Sequence, residues 1–115
     1  MVDTVEHIEA DELNELLGDN RNRPILINTL GREAYKAKRI PGSVNVPTDD
    51  IEEITRLAPD KKQPIVVYCA NADCEASLQA AEALIDMGYT RVWDFEEGLA
   101  GWRSAGLPLD GSEAG

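Results

Sequence analysis

The sequence predicts an α/β domain built on a mostly parallel sheet covered by helices on both faces. Two short runs, Pro24-Ile25-Leu26-Ile27-Asn28 and Pro64-Ile65-Val66-Val67-Tyr68, are rich in branched residues and apolar at consecutive positions. That is the pattern of strands buried on two sides, not of alternating surface strands. Segments with helical periodicity separate the strands, and parallel neighbours require crossovers of that kind. A chain of 115 residues fits a single domain, 1–115, around one sheet.

The elements follow in order. After a short extended start, Ile8, Leu13, Leu16 and Leu17 mark a first helix, with Asp11 and Glu12 in its opening turn and Gly18 at its end. The run 24–28 is a strand, and residues 31–38 read as helical. Ile40-Pro41-Gly42 then turns the chain into a short strand, Ser43-Val44-Asn45-Val46, closed by Pro47. Asp49 or Asp50 is placed to cap a helix reaching about Ala58. Beyond the polar turn 59–63, the run 64–68 is the second buried strand. From Ala76 onward, Leu78, Ala81, Leu84, Ile85 and Met87 form the apolar face of a helix that Gly88 stops in a left-handed cap. Residues 91–95 make a last strand, with Trp93 in the core, and a short helix around Leu99–Ala105 follows. Trp102 is expected to pack that helix onto the sheet.

Hydrophobic residues make up 43% of the chain and charged residues 29%, the balance of a folded globular domain. Eleven Lys and Arg stand against 22 Asp and Glu, for a net charge of −11. That sign opposes a phosphate backbone, so no nucleic acid is expected as partner. The excess of carboxylates reads as a solvated surface, of a kind that also suits a high-salt cytoplasm. No apolar run approaches the roughly 20 residues of a spanning helix, and the first residues lack the basic start and apolar stretch of a signal peptide. The expectation is a cytoplasmic chain with no membrane partner.

Sites in parallel α/β sheets lie at the carboxyl ends of strands. Both cysteines of the chain fall at one such place, in Cys69-Ala70-Asn71-Ala72-Asp73-Cys74-Glu75, between the strand 64–68 and the next helix. A thiol there can be surrounded by backbone N–H groups and a helix N-terminus, which stabilise a thiolate, a persulfide or a bound oxyanion. Nucleophilic sulfur chemistry is the functional reading, and an inert cysteine packed as a small hydrophobe is the structural one. A curled loop also brings the two α-carbons within the roughly 4.4–6.8 Å that a disulfide spans, which makes Cys74 a candidate resolving thiol for a persulfide or sulfenic acid on Cys69. No metal site is expected, because two cysteines and the distant His7 leave a zinc coordination shell incomplete.

Four separated motifs carry a family resemblance: Arg39-Ile40-Pro41-Gly42-Ser43-Val44-Asn45-Val46-Pro47, Pro64-Ile65-Val66-Val67-Tyr68-Cys69, Met87-Gly88-Tyr89, and Glu97-Gly98-Leu99-Ala100-Gly101-Trp102 with Ala105-Gly106-Leu107-Pro108. In this order and spacing the chain resembles a single-domain rhodanese over about residues 3–109, leaving a short polar tail at 110–115. The resemblance implies a five-stranded, mainly parallel sheet flanked by helices on both faces. It matches Cys69 to the family's persulfide-forming nucleophile, and Ala70, Asn71, Ala72, Asp73, Cys74 and Glu75 to its active-site loop. The implied activity is sulfurtransfer from thiosulfate or a persulfide-carrying protein to cyanide or a thiol acceptor, with no cofactor, in a monomer.

Several positions depart from the family's usual pattern. The loop has no arginine and carries Asp73 and Glu75 instead, so an anionic donor meets repulsion and phosphatase chemistry, as in rhodanese relatives with a longer loop, is disfavoured. The stretch from Cys69 to Ser77 is about two residues longer than the common loop. Asn28-Thr29-Leu30 stands where many relatives have Asp-Val-Arg, and Arg39 stands where they often have histidine, which makes it a candidate cation for the pocket. Two further readings stay open beside the enzyme: a thiol redox protein using Cys69 and Cys74, and a catalytically silent rhodanese-like module that binds a partner protein.

Overall fold

A computed structural model describes residues 5–19, 21 and 23–113. Five strands form one sheet: β1 (Glu6–His7), β2 (Ile25–Asn28), β3 (Val44–Asn45), β4 (Ile65–Tyr68) and β5 (Val92–Phe95), in the order β1-β5-β4-β2-β3. Every neighbouring pair is parallel. β4 lies at the centre, with Val67 opposite Ile27 on one side and Asp94 on the other. All four of its residues are buried, as its uninterrupted apolar run requires.

Side chains alternate across the sheet and divide the core in two. Ile27, Ile65, Val67 and Val92 face α4 (Ala76–Asp86) and the segment from a 3₁₀ helix (Thr48–Glu53) into α3 (Ile54–Leu57), packing with Ile51, Ile54, Ala81, Leu84 and Tyr89. Leu26, Val66, Tyr68 and Phe95 face the other layer with Leu13 of α1 (Ala10–Leu17) and Trp102 of α5 (Gly98–Ser104). Trp102 serves the packing role expected of it: its ring meets Phe95 edge-on at 6.3 Å, and its indole N–H donates to the Pro108 carbonyl at 2.8 Å. The remaining helix, α2 (Arg32–Ala37), joins β2 to the Ile40-Pro41-Gly42 turn.

α4 ends as its sequence predicts. Gly88 has φ +101°, its N–H reaches the Ile85 carbonyl at 3.0 Å and the Tyr89 N–H reaches the Leu84 carbonyl at 3.1 Å. These are the paired bonds of a left-handed helix cap, and they put Tyr89 into the core beside Leu84. That cap is the physical content of Met87-Gly88-Tyr89.

Four expectations need correction. Neither Asp49 nor Asp50 caps a helix: the segment opens at Pro47 as a 3₁₀ turn, Asp50 kinks it with φ −108° and ψ 19°, and regular helix begins only at Ile54. Proline fixes the entry dihedral there without a side-chain cap. Leu78 is 38% exposed, and the inner face of α4 is made by Ser77, Ala80, Ala81 and Leu84. The strand expected over 43–47 is reduced to Val44–Asn45 because it is an edge with a single partner. Trp93 is half-buried, with the Arg91 guanidinium 6.0 Å from its ring centre.

Candidate active site

The strand order sets the position of Cys69. It follows the last residue of β4, the central strand, and is fully buried. Its carbonyl accepts the Leu99 N–H at 3.1 Å, and the Ala70 carbonyl accepts the Ala100 N–H at 3.0 Å. The first turn of α5 therefore clamps the start of the loop. Gly98 permits the approach: it has φ +60°, and a Cβ there would overlap the Cys69 carbonyl. This contact gives the Glu97-Gly98-Leu99 motif its function.

Asn71 folds the rest of the loop. Its side-chain oxygen accepts the Asp73 N–H at 3.0 Å and its carbonyl accepts the Cys74 N–H at 3.1 Å, a turn that carries Cys74 back toward the strand end. Cys69 and Cys74 are joined in a disulfide, with their α-carbons 6.2 Å apart. Two of the loop's N–H groups are thus spent on Asn71 and unavailable to a thiolate. The far end of the loop is held where the Thr48 hydroxyl donates to the Ala76 carbonyl at 2.8 Å. Ala70 and Cys74 are half-buried, while Asn71, Ala72, Asp73 and Glu75 are exposed.

Behind Cys69 lies a polar network that the sequence reading did not single out. The Tyr68 hydroxyl accepts from the Asn28 amide at 2.9 Å and from the Ile40 N–H at 3.0 Å. Ser43 donates its own proton to the Ile40 carbonyl at 2.7 Å, so the Tyr68 hydroxyl donates to Ser43 Oγ at 2.8 Å. Burial pushes the Tyr68 phenol above its ordinary pKa, opposed by these hydrogen bonds. Thr29 contributes its N–H and hydroxyl to the Tyr68 carbonyl at 3.0 and 2.9 Å. The Ile40-Pro41-Gly42-Ser43 turn thereby fixes the residue that precedes the nucleophile candidate. A tyrosine at the end of a fully apolar strand was the available signal, since a buried hydroxyl demands partners.

The charged candidates are dispersed. Arg39 interacts with the Asp110 carboxylate at 3.4 Å and with the Tyr35 ring, whose centre is 5.1 Å from its guanidinium carbon. Its described contacts are thus with α2 and the chain's end, not with the cysteine loop. Lys38 and Arg103 instead line a cleft of about 390 Å³ together with Ala70, Leu99, Ala100, Ser104 and Leu109. Arg103, five residues after the Gly98 of the motif, was not singled out because nothing in its spacing separates it from an ordinary surface arginine. Among the described residues, no group of three or more His, Cys, Asp or Glu side chains is placed to hold a metal ion.

A cysteine ending the central strand of a five-stranded parallel α/β sheet, clamped from behind by a helix start and enclosed by a short loop, defines a rhodanese-like architecture. The profile of the Rhodanese-like domain matches residues 9–105, and the chain belongs to that family. It is similar to the HTH-type transcriptional regulator Rv0324 of Mycobacterium tuberculosis, 34% identical over 86 residues, a match covering 74% of this chain and 37% of that protein. It is 29% identical to the thiosulfate sulfurtransferase GlpE of Pseudomonas syringae over 80 residues, covering 70% of this chain and 73% of that one. Among solved structures, the Alr3790 protein of Anabaena sp. superposes with a TM-score of 0.80 at 26% identity, covering 90% of this chain and 91% of that chain. The chain spans less than two thirds of the length of several curated relatives it matches, including the regulator. Sulfurtransferases and a transcriptional regulator thus share this domain. No helix among the described residues is long and apolar enough to cross a membrane.

Proposed function

We propose that the chain is a sulfurtransferase in which reduced Cys69 carries the sulfur. The observation that carries this reading is the position of Cys69 at the end of the central strand, its carbonyl held by the Leu99 N–H at 3.1 Å. The backbone of the nucleophile is thereby fixed, while Asn71, Ala72, Asp73 and Glu75 of the loop stay exposed. The Cys69 thiolate attacks the sulfane sulfur of thiosulfate, the sulfur–sulfur bond of the donor breaks, and sulfite leaves with the bonding pair. A thiol or cyanide then attacks the terminal sulfur of the persulfide and regenerates the thiolate. The likeness to a thiosulfate sulfurtransferase supports thiosulfate as donor, and a persulfide-carrying protein is the alternative source. Lys38 and Arg103 supply the positive charge that the loop lacks, in the cleft that reaches Ala70.

The test is intact-mass analysis of the reduced protein after exposure to thiosulfate. Gain of one sulfur on Cys69, absent in Cys69→Ser, is expected, because a serine hydroxyl is a far poorer nucleophile at neutral pH. Sulfur transfer retained by Cys69→Ser overturns the mechanism. An unchanged mass in the wild-type protein would instead favour a binding module. The disulfide favours a thiol redox protein as the second reading.

A further inference from the structure

We propose that Cys74 discharges the Cys69 persulfide within the same chain, releasing sulfide and leaving the disulfide, so that the protein acts as a dithiol-dependent thiosulfate reductase. The inference rests on Cys69 forming the persulfide. Its own basis is the geometry of the loop. Cys74 is already bonded to Cys69 with the clamp from α5 in place and the Asn71 turn closed. Cys74 therefore reaches the sulfur of Cys69 without opening the strand end. In the bonded form Cys69 is fully buried and Cys74 half-buried, so Cys74 sits between the inner sulfur and solvent, already within bonding distance of it. A nucleophile held in position in this way competes with acceptors in solution through its high effective concentration.

The step balances. Thiosulfate converts the Cys69 thiolate to a persulfide anion and sulfite. The Cys74 sulfur then attacks Cys69 Sγ, the bond from Sγ to the outer sulfur breaks, and the outer sulfur leaves with the electron pair and the Cys74 proton as hydrosulfide. The two cysteines are oxidised to the disulfide as the transferred sulfur is reduced. A protein or small-molecule dithiol resets the site. It attacks Cys74, the more accessible sulfur, expels the Cys69 thiolate, and is itself oxidised to a disulfide. The sum converts one thiosulfate and one dithiol into sulfite, hydrosulfide, a proton and the oxidised dithiol.

The experiment is a single turnover without oxygen, in which the reduced full chain, freed of reductant, is mixed with thiosulfate. The wild-type protein is expected to release sulfite and sulfide in equal amounts and to finish two hydrogens lighter. Cys74→Ser is expected to stop at the persulfide, with sulfite released, the extra sulfur kept on Cys69, and sulfide lower by about tenfold or more. If the wild-type protein releases sulfite but keeps the extra sulfur and yields no sulfide, the inference is overturned while the sulfurtransferase reading stands. If no sulfite appears, Cys69 does not form the persulfide and both fail. The wild-type measurement decides by itself should the variant fold poorly.

Discussion

Tyr68 and Cys69 are adjacent in the chain and opposite in character: one is a fully bonded anchor and the other is the proposed nucleophile. Replacing Tyr68 by Phe removes three hydrogen bonds and leaves the Ile40 N–H and the Asn28 amide buried beside a ring edge. Each buried donor left without a partner costs about 1–3 kcal/mol. Tyr68→Phe is therefore expected to lower stability by about 2–6 kcal/mol, read as a reduced urea midpoint at unchanged slope. The strand end that carries Cys69 was legible from the buried run before it. The anchor was not, because its partners come from positions 28, 40 and 43, and only the folded sheet brings them together. A second expectation concerns charge. Asp73 and Glu75 are exposed in a loop without a cation, so replacing them with Asn and Gln is expected to lower the KM for thiosulfate severalfold, with added salt acting less strongly in the same direction. Arg103→Gln is expected to raise it. If KM responds to none of these changes, neither the loop carboxylates nor the cleft cation acts on the donor.

At the scale of elements, the helix α5 matters for its first residues rather than its length. Gly98→Ala forces a side chain into the space of the Cys69 carbonyl at a left-handed dihedral, which alone costs roughly 1–2 kcal/mol. The clamp on the loop is expected to shift, and sulfur transfer to fall by more than tenfold at temperatures where the variant remains folded, a distance-sensitive loss of the kind seen when a reacting group is misplaced by about 1 Å. Wild-type transfer rates in a folded Gly98→Ala protein would show that the clamp does not position the thiol. The motif containing this glycine was visible in the sequence, but its role was not, since the contact spans residues 69 and 98. The buried strands and α4 were legible because period and capping agree along each segment. The segment 48–57 was not: acidic residues near a helix start suggest a cap, whereas Pro47 and the kink at Asp50 decide its path.

At the scale of the whole molecule, one carboxylate among the described residues is buried at a cost. Asp94 is 2% exposed, and its Oδ1 has no hydrogen-bond partner. Desolvation raises its pKa above the ordinary 3.8, opposed by a hydrogen bond from Ser77 and the proximity of His7, and assisted by Glu96. The folded state thus holds this proton more tightly than the unfolded chain. The resulting stabilisation is complete below the ordinary value and is lost as pH rises through the raised one. Asp94→Asn is therefore expected to be more stable than the wild-type protein at neutral pH, with the gap closing in acid, as measured by paired urea titrations. A gap independent of pH would mean that Asp94 does not titrate abnormally. Comparing the two proteins removes the contribution of the net charge of −11, whose relief by acid is common to both apart from this site.

The placement of the clamp has a consequence for the order in which the chain matures. During synthesis Cys69 and Cys74 emerge before β5 and the start of α5 exist, and β1 finds its partner only when residues 93 and 94 are made. Pairings so distant along the chain close slowly, because the entropy of the intervening loop is lost before any contact repays it. For that interval the thiols belong to a chain without a pocket. The candidate site is thus among the last parts to be assembled, and in refolding the proposed sulfur transfer is expected to return after the helical signal has recovered.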